Sequence, residues 1–137
     1  MQTQLSRPFR PISLAEGARE FFALPRLADA LRSEDEYARS GVSALTLTRD
    51  ELVTSLLVSL RKGSVMHEHR APSAATLLVV SGRVKFVAGD GGVTELTPGC
   101  LAAFAGDVRH AIEAREDSTL FVSIGGRQRP ASDPAKG

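Results

Sequence analysis

Residues 63–82 read GSVMHEHRAPSAATLLVVSG and hold two of the chain's three histidines, His67 and His69, between two glycines. The third, His110, closes a second glycine-led stretch, GCLAAFAGDVRH, at residues 99–110. His67 and His69 are two apart, so on an extended segment with regular alternation both face the same side. The surroundings are strand-like. Val42-Ser43-Ala44-Leu45-Thr46-Leu47-Thr48 alternates, and Leu52 to Leu60 is a Leu-rich run with Thr54, Ser55 and Ser59 interleaved. Arg61-Lys62-Gly63, Ser81-Gly82, Pro98-Gly99 and Glu116-Asp117-Ser118 mark turns at short intervals. Gly89-Asp90-Gly91-Gly92 joins Val87 to Val93 as a hairpin turn and opens no helix, which excludes a phosphate loop. About nine short strands in such a span leave bare edges unless the sheet closes or doubles over, so an all-β antiparallel sandwich or barrel is expected. With no Trp, one Tyr and six Phe, its interior is expected to be mainly aliphatic.

The N-terminal part has a different period. Leu24, Leu27, Ala28 and Leu31 follow helical spacing after Pro25, and Ser33 with Glu36 has the form of a capping box opening a second helix through Arg39. Gly41 then stops it. The organisation read from the chain is a helical extension over 1–40, a β domain over 41–125 and a flexible polar tail over 126–137. The apolar stripe between Leu14 and Gly41 calls for cover at the side of the β domain or across a two-fold axis, which predicts a homodimer.

Composition narrows the function classes. The 137 residues suit one domain, and 17 basic against 16 acidic residues give a net charge of +1, without the basic footprint that holds nucleic acid or an anionic membrane. The apolar runs fall short of the roughly 20 residues of a membrane helix, and Met1 to Pro11 lacks the apolar core of a secretory leader, so a cytoplasmic location is expected. Cys100 is alone and can form neither an internal disulfide nor a thiolate cage. No serine lies in a nucleophile elbow, which removes support for hydrolase chemistry.

Gly63, His69 and Gly82, followed by Gly99 and His110, resemble the two short motifs of the cupin superfamily. The resemblance covers residues 41–125 and implies a small antiparallel jelly-roll β-barrel with the short helical segment in front. It also implies metal ligands at two histidine positions and one glutamate position of the first motif and at the histidine of the second. Here the second histidine position is Ala71 and the glutamate position is Ala75, while Ala105 and Asp107 replace a proline and a glycine.

His67, His69 and His110 are the candidate metal ligands. Three neutral imidazoles with an open position suit a divalent transition metal such as Fe, Zn, Ni, Mn or Cu. In family terms three histidines without a glutamate look like the thiol dioxygenase branch. Motif spacing makes His69 the ligand and leaves His67 about 6–7 Å upstream; a competing register pairs His67 with His69 and needs a bulge. Two functions stay open: a metal-dependent enzyme of dioxygenase or isomerase type, or a non-catalytic dimeric cupin that binds a small molecule or protein partner with a degenerate metal site. A sugar-nucleotide epimerase would need a His and Tyr pair, and Tyr37 lies in the helical segment. Arg70, Arg83 and Arg109 are either carboxylate-binding or solvated. Glu68 is assigned by alternation to the face opposite His67 and His69. Cys100, with no basic neighbour in sequence, is expected to be a small buried hydrophobe.

Overall fold

The computed structural model describes residues 5–69 and 73–125, with Glu68 and His69 described by their backbone. Two helices, α1 (Leu24–Arg32) and α2 (Asp35–Ser40), precede nine strands among the described residues. These are β1 (Val42–Arg49), β2 (Val53–Leu60), β3 (Val65–His69), β4 (Ala75–Ser81), β5 (Val84–Ala88), β6 (Val93–Leu96), β7 (Leu101–Phe104), β8 (His110–Ala114) and β9 (Ser118–Gly125). They form a five-stranded sheet in the order β1-β2-β9-β4-β7 and a four-stranded sheet in the order β3-β8-β5-β6, every pair antiparallel. The all-β expectation holds, and the sheet doubles over.

Alternation decides which residues fill the space between the sheets. Val58 and Leu60 of β2, Leu77 and Val79 of β4, and Leu120 of β9 meet Val84, Leu96 and Ile112 of the smaller sheet in one buried cluster. β2 is buried on both faces, so its sequence reads as a continuous apolar run with few polar breaks. Leu57 points the other way, into a second cluster with Leu45 and Leu47 of β1 and Leu27, Ala28 and Leu31 of α1. Ser59 is tolerated on that outer face because its hydroxyl donates to the Ala28 carbonyl at 3.1 Å. Leu31 is fully buried there, and truncating such a leucine to alanine costs about 2–5 kcal/mol.

The N-terminal segment departs from the sequence reading in two respects. Helix begins only at Leu24; before it the described chain is irregular, with a turn at Glu16-Gly17 and Ile12 forming a parallel bridge to Thr48. The Ile12 amide donates to Leu47 O at 2.9 Å and the Arg49 amide to Ile12 O at 3.1 Å, so this strap covers the β1 edge. Leu27, Ala28 and Leu31 of the apolar stripe find their cover on the side of the β domain, while Leu14 and Phe21 remain exposed. The expected capping box does not form. Ser33 belongs to the end of α1, where its hydroxyl donates back to Ala30 O at 2.8 Å, and Glu34 takes the N-cap position of α2 without a side-chain cap bond. Gly41 does end α2: its φ is +78°, and an added Cβ would lie 1.9 Å from Ser64 Oγ. The tail over 126–137, together with Arg70 and Ala71, lies outside the described residues.

Candidate functional site

The site is built on the first residue of β8. His110, Ile112 and Ala114 alternate inward and are all buried, His110 being 4% exposed. Its strand lies between β5, where Ala88 is its partner, and β3, where His69 is its partner. The β3 ladder is irregular: Met66 faces Ile112 and His69 faces His110, so His67 and Glu68 share the place opposite Ala111. This is a β-bulge. Strict alternation, the premise for placing His67 and His69 on a common face and Glu68 on the opposite one, is interrupted here in the backbone, and the side chains of Glu68 and His69 lie outside the described ones. Position 69 stands across from His110, while His67 is exposed.

The His110 ring is held on three sides. A carbonyl can only accept, so the 3.1 Å contact between Nδ1 and Val108 O makes Nδ1 the protonated nitrogen and leaves the acceptor lone pair on Nε2. Phe86 of β5 stacks on the ring at 5.3 Å with an interplanar angle of 8°, and Phe104 of β7 leans against it at 4.6 Å and 55°. The two phenyl rings also touch, 5.3 Å apart at 51°. Phe104 comes from the opposite sheet, so the imidazole lies between the two layers. Aromatic contacts of this kind add about 0.5–1.5 kcal/mol each beyond area burial. The aliphatic interior expected from composition is thus aromatic at this end. Phe86 and Phe104 escaped sequence reasoning as site residues; their inward strand parity was the available signal.

The positions that carry donors in the family motifs are poor in donors here. Ala75, at the glutamate position, pairs with Phe104 in the ladder, is 5% exposed and offers only a methyl group. Ala71 has no donor in its side chain either. Among the described residues no three His, Cys, Asp or Glu side chains cluster as metal ligands do. Ala71 and Ala75 therefore remove two of the donor positions of the family motif, while the side chain of His69 lies outside the described ones.

Other candidates lie elsewhere. Arg83 pairs with Glu95 at 3.1 Å and with Glu116 at 3.4 Å, on the turn that begins β5. Arg109 is exposed beside a surface depression that it shares with Asp90 and Asp107. Tyr37 is buried in α2 under the Arg61 guanidinium, 5.9 Å from its ring centre. Cys100 is half-buried against the inter-sheet cluster, and hydrogen bonding from the Thr97 side chain and backbone lowers its thiol from the ordinary value of 9.0, a neighbour effect that does not need a basic residue.

Comparison with known proteins agrees with this architecture. The cupin domain pattern matches residues 56–124, half of the chain. Curated proteins yield no match. Among solved structures, KdgF from Halomonas sp. superposes with a TM-score of 0.58 at 20% identity, covering 64% of this chain and 82% of its own. A conserved protein of unknown function from Streptococcus pyogenes gives 0.64 at 18% identity, covering 89% of this chain and 99% of its own. Oxalate decarboxylase from Bacillus subtilis gives 0.56 at 18% identity, with 65% of this chain matched to 26% of that larger protein. With the matched domain, the two facing antiparallel sheets and the surviving motif positions at Gly63, His69, Gly82, Gly99 and His110 taken together, the chain belongs to the cupin domain family.

Proposed function

We propose that this chain is a non-catalytic cupin that binds a small, largely apolar molecule at the end of the sandwich where His110 lies, in place of a tightly held metal. The observation that carries this reading is the enclosure of the imidazole by Phe86 and Phe104, with a methyl group at Ala75 where the family motif has a carboxylate. Aromatic walls around one hydrogen-bonding group suit a small organic ligand, the rings supplying contact area and the imidazole fixing orientation.

A second reading rests on the ladder that sets His69 opposite His110. There His67, His69 and His110 hold Fe, Zn, Ni, Mn or Cu loosely, and the ion supplies Lewis acidity or, for Fe, Mn and Cu, redox chemistry of the dioxygenase or isomerase type. His110 would then bind through Nε2, oriented by its Nδ1 hydrogen bond to Val108.

Elemental analysis of protein purified without an affinity tag separates the two, together with calorimetric titration by Zn2+ and Fe2+. Fewer than about 0.1 ions per chain and dissociation constants weaker than about 100 μM support the small-ligand reading. Near one ion per chain, lost in His110→Ala, overturns it in favour of the metal-dependent reading.

A further inference from the structure

We infer that the molecule bound at this end is a neutral phenol, its hydroxyl donating to Nε2 of His110 and its ring lying in the alanine-walled groove that opens beside Phe104, and that carboxylates and ethers are discriminated against. The inference rests on the small-ligand reading and names the class of ligand.

The polarity of the imidazole sets the first requirement. Its Nδ1–H is directed at Val108 O, so the neutral ring presents a lone pair and no N–H at Nε2. A group that meets Nε2 has to bring its own proton. A hydroxyl does so, whereas an ether oxygen, a ketone or an ionised carboxylate sets one lone pair against another. A site that hydrogen-bonds a ligand hydroxyl rejects the analogue without that proton far more strongly than a purely apolar wall rejects a change of shape.

The walls set the second requirement. Phe104 leans on the imidazole, and Ala75 is its ladder partner. Both also line a groove of about 500 Å3, within the range of small-molecule sites of about 300–1,000 Å3. Ala74, Ala103 and Ala105 are among its other walls, with Thr76 and Ser123 as its polar side chains, and none of the described walls is charged. An ionised group brought here gives up water for methyl and phenyl surface without a described counter-charge, which opposes binding. A flat neutral ring exchanges water for the same surface favourably, and the half-buried Phe104 offers it an offset or edge-to-face contact. The methyl-sized side chains on either side leave the width that a ring needs.

NMR titration in metal-free buffer at about pH 8, where a phenol keeps its proton and benzoate is ionised, tests this with phenol, anisole and benzoate as probes. Fragments of this size bind in about the millimolar range, so each is carried to about 10 mM. Phenol is expected to shift the methyl signals of Ala75 and Ala105 and the ring signals of His110, with a dissociation constant at least tenfold below those of anisole and benzoate. In His110→Leu, phenol binding should fall to the level of anisole. Anisole or benzoate within tenfold of phenol at the same signals overturns the inference, as does a phenol preference that survives in His110→Leu. Xenon under pressure reports apolar space irrespective of hydrogen bonding. Xenon shifts at Ala75 without phenol shifts overturn the inference alone, and silence of both probes there overturns the small-ligand reading with it.

Discussion

The two ends of the sandwich are made of the same strands and differ in how they are finished. At the end where β4 turns into β5, backbone and side chains interlock. Ser118 Oγ accepts from the Arg83 amide at 3.0 Å and lies 2.7 Å from Glu116 O, Asp117 accepts from the Lys62 amide at 2.8 Å, and Arg83 joins Glu95 and Glu116. At the opposite end the inner residues are alanine, phenylalanine and one imidazole, and the β3 ladder is bulged. One end is fastened by hydrogen bonds between short loops. The other carries one buried polar group among apolar side chains between the sheets, which is the division of labour expected of a scaffold and a site.

The sharpest way to break this contrast is at Gly82. Its φ is +85°, and a Cβ there would meet Asp117 O and Ser118 Oγ at 2.3 Å. Gly82→Val is expected to cost about 3 kcal/mol or more in urea unfolding, because left-handed strain adds to overlap with backbone that cannot move aside. At the other end, Ala75→Glu places a carboxylate in a buried apolar position and is expected to cost about 2–3 kcal/mol in metal-free buffer. Excess Zn2+ should recover most of that loss as a raised melting temperature, by completing a donor set with the histidines; no recovery would mean that the imidazoles are not disposed around a common point.

His110→Leu sharpens the comparison further. It replaces the ring with an apolar group of similar size, so stability should change by only about 1 kcal/mol while small-ligand and metal binding are both lost. A stability loss several times larger would make His110 a structural residue. The smallest effect concerns Glu34, near the fastened end. Hydrogen bonds from the Arg7 guanidinium, with a further one from Ser43, hold its carboxyl below the ordinary 4.5 against the opposing effect of burial. Its contribution is therefore present above pH 4.5 and is lost as pH falls below that value. Arg7→Gln should flatten this part of the stability profile between pH 7 and about pH 3, a change visible only by differential unfolding against wild type.

Much of the architecture could be read from the chain because it rests on local periodicity. The alternation at 42–48, the hairpin glycines at 89–92 and the stop at Gly41 each describe a short-range preference, and each appears in the structure where spacing puts it. The extended strap at Ile12 was not legible, since its backbone bonds go to a strand more than thirty residues away and leave no period behind. Nor was the failed capping box, where Ser33 had two carbonyl and amide targets and took the one behind it. At the site, motif spacing located positions 69 and 110 as neighbours, and the ladder bears that out at the level of backbone register. The aromatic pair around His110 depends on which side of two separate strands meets across the gap, a long-range fact that composition alone turned in the aliphatic direction.

The surplus residue in β3 acts like a frameshift confined to a few ångströms. A strand has only two phases, and a single insertion switches everything downstream of it from one to the other until the next turn. Losing either His67 or Glu68 would therefore restore regular pairing up to His69, with scarcely any change in composition. Length variation at this point can remake what a ligand meets more thoroughly than several substitutions, and a comparison of related chains that counts only replaced residues would pass over it.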